Sequence, residues 1–144
     1  MIEADLERLV GERAIRRCEP DPANARLELA TARKHLETAI GAAESDPNGA
    51  FQLIYDGARK ALNAHMRAYG YRVGSGPGAH VKTGRYAAAV LDDPALAPHV
   101  AAFDDLRSLR NQSEYDALLL DEADVHDALS HANAIVAAVE RDLA

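Results

Sequence analysis

The chain has 144 residues, a formal net charge of −7, 48% hydrophobic but only 5% aromatic residues, no tryptophan and one cysteine, Cys18. That length fits one domain, and an alanine-rich, aromatic-poor composition suits close-packed helices better than a β-sandwich. A lone cysteine excludes a disulfide framework or a cysteine-based zinc site within one chain; the acidic balance argues against a broad basic surface for duplex nucleic acid but permits a local cationic cleft; and no apolar run approaches the roughly 20 residues that span a bilayer.

Residues 2–17 read as a first, weakly amphipathic helix. Its charges (Glu3, Asp5, Glu7, Arg8) are wrong for a secretory signal, so the expected location is the cytoplasm. Three Asp-Pro dipeptides follow along the chain: Asp21-Pro22, Asp46-Pro47 and Asp93-Pro94. Aspartate caps a helix N-terminus, and proline fits the first helical position because its missing N–H is an orphan there. Each dipeptide therefore predicts a helix start.

The helix over 22–44 carries Leu29, Leu36, Ala39, Ile40 and Ala43 on one side, and that over 47–70 carries Phe51, Ile54, Ala58, Ala61, Leu62, Met66 and Tyr69. A shorter helix is expected at about 79–91, with Tyr86, Ala89 and Val90. The helix over 98–117 buries Val100, Phe103, Leu106 and Ala117, and Asp121 caps a last helix over 122–143 with Val125, Leu129, Ala132, Ile135, Val136, Val139 and Leu143 inward. Steps of three and four dominate, which is the helical period. No strand pattern, internal repeat or linker emerges. Short connections between long helices predict an all-α, up-and-down bundle of four to six helices in a single domain over 1–144, its core within 25–144.

The one glycine-rich stretch, Gly70 to His80, formally contains G-x-G-x-x-A at Gly74, Gly76 and Ala79. It follows a helix, not the strand a dinucleotide site needs, and Lys82-Thr83 lacks the preceding glycine of a P-loop. It reads as a flexible connection or as an ordered loop over a cleft, with Arg72, His80 and Lys82 near its ends. His35, His65, His99, His126 and His131 have no i,i+4 pairing and read as surface or boundary residues. No metal site and no cofactor are expected.

Arg110 stands out. In helical projection it falls between Phe103 and Leu106, where an apolar residue belongs, and a guanidinium rarely lies buried without a partner. It either pairs internally, with Glu114 at i+4, or lines a cleft. Arg107 one turn earlier and Asn111 beside it complete a small polar cluster.

Several long helices, an Arg-Asn pair late in the penultimate long one and a final amphipathic helix resemble a HEPN domain (higher eukaryotes and prokaryotes nucleotide-binding) over about 25–144. The resemblance implies an all-α homodimer. Many such proteins are metal-independent RNases, often toxins of toxin–antitoxin or phage-defence systems. The family motif is Arg, a polar residue often Asn, three variable residues, then His. Arg110 and Asn111 match its first two positions, Gln112, Ser113 and Glu114 fill the variable ones, and Tyr115 stands where the catalytic histidine belongs. In the family mechanism the histidine moves a proton while the arginine steadies the phosphate. A phenol with an unperturbed pKa of about 10 is a poor base at neutral pH. Three readings follow: a non-catalytic HEPN domain that binds RNA, a nucleotide or a partner protein; His80 substituting in space; or Tyr115 acting with Arg110 in altered chemistry.

The resemblance thus implies Arg110, Asn111, Tyr115 and His80 as catalytic candidates, with Arg107, Glu114, Arg72 and Lys82 around the substrate. Expected partners are a second copy, RNA or a nucleotide, and a cognate antitoxin or nucleotidyltransferase. The tyrosine that such a transferase modifies in some HEPN toxins is here Ala117, so that regulation does not carry over. The alternative from another class is a non-catalytic helical scaffold for protein interaction.

Overall fold

In the computed structural model, which describes residues 2–144, helix starts are set locally. Asp21 accepts a hydrogen bond from Asn24 N–H and Asp46 from Gly49 N–H, each followed by proline, and these caps open α2 (Pro22–Ala42) and α3 (Pro47–Tyr69). Asp121 and Asp124 exchange side-chain and backbone bonds in a capping box that opens α6 (Glu122–Leu143). The helix α3 closes on Gly70 in the left-handed region at φ 84°, its N–H bonded to Met66 C=O. A Cβ at Gly70 would also lie 2.8 Å from Cys18 O, so glycine is required twice over there.

The described residues form six helices and one two-stranded ladder, an all-α helical bundle. The helix α3 is central, with α2, α5 and α6 against it. Phe51, Ile54 and Leu62 of α3, Leu36 of α2, and Ile135, Val136 and Val139 of α6 are fully buried. The inward face of α2 alternates alanine with leucine (Ala25, Leu29, Ala32, Leu36, Ala39), and its small residues let α2 and α3 approach closely. Arg33 holds the α2–α6 seam from outside, donating to Glu140 and to Asn133 Oδ1 at 2.6 Å.

Five sequence expectations are corrected. The first helix, α1, spans Ile2–Gly11 and not 2–17. The chain turns through Arg13 at φ 60°, Ala14 and Ile15 become buried, and Arg16–Arg17 (β1) pairs antiparallel with Tyr71–Arg72 (β2). That pairing also overturns the expectation of no strands. Two-residue strands carry no periodicity to detect. Asp93-Pro94 does not cap a helix: Asp93 Oδ1 accepts from Ala95 N–H, the chain makes a turn, and α5 (Ala97–Tyr115) begins at Ala97 after Leu96. Ala117 lies beyond that helix, exposed and at φ 55°, and Ile40 faces solvent at 57% exposure. The short helix α4 (Ala79–Val90) agrees closely with expectation. No described helix is long and apolar enough to cross a membrane.

Candidate functional site

Arg110, on the part of α5 that faces α3, is held from several sides. Its Nε donates to Gln52 Oε1 at 2.9 Å and its Nη1 to Asn111 Oδ1 at 3.3 Å, while Nη2 lies 3.4 Å from Glu114 Oε2. The guanidinium carbon sits 5.7 Å from the centre of the Tyr55 ring, which itself stacks on Phe103 with centroids 5.5 Å apart. The two readings offered by the sequence are therefore both realised: Arg110 pairs with Glu114 and also lines a cleft. Three protein groups face its N–H donors out of the five a guanidinium carries, so these partners do not use its full donor capacity.

That cleft has a volume of about 540 Å³ and opens between α3, α4, α5 and the glycine loop. Arg59 and Asn63 come from α3, Gly74 to Gly76 from the loop, His80 from the first turn of α4, and Arg110 from α5. Asp56 shares the wall and lies 3.6 Å from Arg59. The loop lies over this cleft, the position its second sequence reading gave it. Gly76 and Gly78 take φ 110° and 82°, which glycine accommodates without a Cβ penalty.

His80 is mostly shielded, with its Nε2 3.9 Å from Asp104 Oδ1. Burial lowers its proton affinity, the nearby Arg107 charge lowers it further, and Asp104 opposes both. The imidazole is accordingly neutral at neutral pH. The Tyr55 hydroxyl is pushed above the usual phenol range by burial, against the pull of Arg59, Arg107 and Arg110.

The structure brings His80 and Arg110 to one cleft, with Asn111 and Glu114 as Arg110's own partners and Arg107 near enough to act on His80. It leaves the others apart. Tyr115, in the last turn of α5, is 74% exposed and does not line the cleft. Arg72 lines a different concavity, with Cys18, Asp21 and Arg67, and Lys82 is on α4 away from the cleft wall. The sequence reading missed Gln52, Tyr55 and Arg59. A signal was present: Gln52, Asp56, Arg59 and Asn63 step by four, three and four, a polar stripe along an otherwise buried helix.

One histidine expected at the surface or boundary is elsewhere: His65 is 4% exposed in the core. His99 and His131 are half-buried and meet across α5 and α6 with their Nδ1 atoms 3.0 Å apart. Among the described residues no three His, Cys, Asp or Glu side chains are grouped to hold a metal ion.

Comparison of the chain with protein-family models, with curated proteins and with solved structures gave no match.

Proposed function

We propose that this chain is a HEPN-like domain that binds a phosphate-bearing ligand, a single-stranded RNA backbone or a nucleotide, in the cleft between α3, α4 and α5. The observation that carries this reading is the meeting of Arg59, His80 and Arg110 on one concave wall beneath the glycine loop of an acidic protein. Its lining sets two arginines against one carboxylate, Asp56, a positive excess that favours anionic ligands in a protein of negative net charge. Arg110 offers a planar, pre-oriented set of donors, its plane fixed by Tyr55 and its Nε by Gln52, which suits a phosphate. His80, neutral and on the wall of the same cleft, is the group there suited to accept a proton from a ribose hydroxyl. Of the two candidate proton carriers, the reading favours His80, because it lines the cleft and the exposed Tyr115 does not. A role as an RNase of a toxin–antitoxin or defence system, and assembly as a homodimer, belong to the same proposal and rest on the family resemblance.

A second reading, the helical interaction scaffold, is supported by a different observation. Tyr115, Leu118 and Leu119 are exposed together around the α5–α6 connection, Leu119 at 85%, and Arg110 has an internal partner in Glu114.

The test is incubation of the protein with labelled single-stranded RNA in EDTA, following retention and cleavage, alongside Arg59→Ala, His80→Ala and Arg110→Ala. The proposal expects retention that falls at least tenfold in both arginine variants. Cleavage lost in His80→Ala would add catalysis. Absence of retention and cleavage, with nucleotides also failing to bind, would sink the proposal and leave the scaffold.

A further inference from the structure

A second cleft, of about 480 Å³, opens between α1, α3, α4 and the end of α6. It lies within the size range of small-molecule sites. The rings of Tyr69 and Tyr71 line it, with the fully buried Tyr86 behind them, and among its described wall residues the only carboxylates are Glu3 and Asp142, with no lysine or arginine. The nearest arginine identified on these rings, Arg17, lies 5.9 Å from the Tyr71 centroid and is already paired with Glu7.

The wall is built by a hydrogen-bond chain that begins in the core. The Tyr86 hydroxyl is 2.7 Å from His65 Nδ1, and His65 Nε2 is 3.0 Å from Asp142 Oδ2. A carboxylate only accepts, so His65 donates from Nε2 and accepts from Tyr86 at Nδ1. Burial holds His65 below its usual proton affinity, which keeps the ring neutral at pH 7 and leaves the carboxylate charge of Asp142 uncancelled. Asp142 is fixed through Oδ2, its side chain 41% exposed, and its backbone carbonyl accepts from the Tyr69 hydroxyl at 3.2 Å. That bond and the 4.7 Å approach of the Tyr69 ring to His65 hold Tyr69 at the site.

The chemistry of the walls selects one class of ligand. An anion would meet two carboxylates. A neutral apolar molecule would desolvate them without compensation. An organic ammonium ion matches both features, because aromatic faces are electron-rich and carboxylates attract its charge. We propose that this cleft binds a small organic ammonium ion, its alkyl groups against Tyr69 and Tyr71 and its charge toward Asp142 and Glu3. This inference is independent of the cleft at Arg110.

Calorimetric titration of the full chain with choline and with its neutral isostere 3,3-dimethyl-1-butanol tests it. Saturable choline binding is expected, with the isostere at least tenfold weaker. Tyr69→Ala and Glu3→Gln should each weaken choline several-fold or more. Glu3 is exposed and Tyr69 half-exposed, so both variants should stay folded at the titration temperature, Tyr69→Ala with a lower melting temperature for the His65 contact and the Asp142 bond it loses. A trimethyllysine peptide binding more than tenfold tighter than choline would identify the ammonium as a modified protein side chain, and the reverse order a free small molecule. No saturable choline binding, equal binding of the isostere, or affinity unchanged in Tyr69→Ala would each overturn the proposal.

Discussion

Gly57 of α3 lies directly against Leu36 of α2: a Cβ placed on Gly57 would come within 2.9 Å of Leu36 Cδ2 and 3.1 Å of the Ala32 carbonyl oxygen. This contact sets how near the two longest-packed helices can come. Leu36 is 1% exposed, and the Ala32 carbonyl is backbone that cannot turn away. Gly57→Ala should therefore destabilise the fold by about 1–3 kcal/mol through overpacking, more than the roughly 1 kcal/mol that alanine gains in helix propensity. Gly41 near the end of α2 has no neighbour within 4 Å of the same built atom, so Gly41→Ala should be neutral or stabilise by up to about 1 kcal/mol. Urea unfolding of the two variants decides it; equal shifts would mean that the helices separate without cost.

Tyr86 is fully buried and donates to the buried His65. Tyr86→Phe keeps the ring and removes the hydroxyl, leaving His65 Nδ1 without its partner. A loss of about 1–3 kcal/mol is expected in denaturant unfolding. Tyr69→Phe, at a half-exposed ring whose hydroxyl reaches a carbonyl at 3.2 Å, should cost under about 1 kcal/mol.

His65 also gives the fold a pH dependence. Burial lowers its folded-state proton affinity, outweighing the hydrogen bond and charge of Asp142, so the unfolded chain binds the proton more tightly. Its contribution is complete above the unfolded pKa of about 6.5 and is lost as pH falls below that value toward the lower folded pKa. Melting temperature should fall between about pH 7 and pH 5 and the slope should flatten in His65→Gln, even if that variant is less stable throughout. His80 adds a contribution of the same sign, since its affinity is lowered too. A His65→Gln profile parallel to the wild type would show that the slope arises elsewhere.

Asn48 ties the α5–α6 connection to the start of α3, donating to Leu118 O and accepting from Leu120 N–H, both at 2.9 Å. Asn48→Ala removes both bonds, and about 1–2 kcal/mol of stability should go with them. Hydrogen exchange should quicken at Leu120 first, while the centre of α3 stays protected. Uniform exchange enhancement would instead mean global loss of stability.

The sequence by itself determined the helices of this protein. Asp21-Pro22, Asp46-Pro47 and Asp121 start helices because a cap needs only partners within three or four residues, and the steps of three and four from Phe51 to Met66 and from Val125 to Val139 define buried faces for the same local reason. Arg110 was conspicuous because its place on that period conflicted with its charge. Tertiary structure alone decided the rest. Asp93-Pro94 has the cap signature but forms a turn: the Asp93 carboxylate accepts from Ala95 N–H, two residues on, and the next helix begins only at Ala97. Arg16 and Arg17 become a strand only because Tyr71 and Arg72 arrive beside them. His65 is in the core because Tyr86 and Asp142, from two other helices, supply its hydrogen bonds. The cleft that joins Arg59, His80 and Arg110 has no local signature, since its residues lie on three helices and approach only once the apolar faces pack.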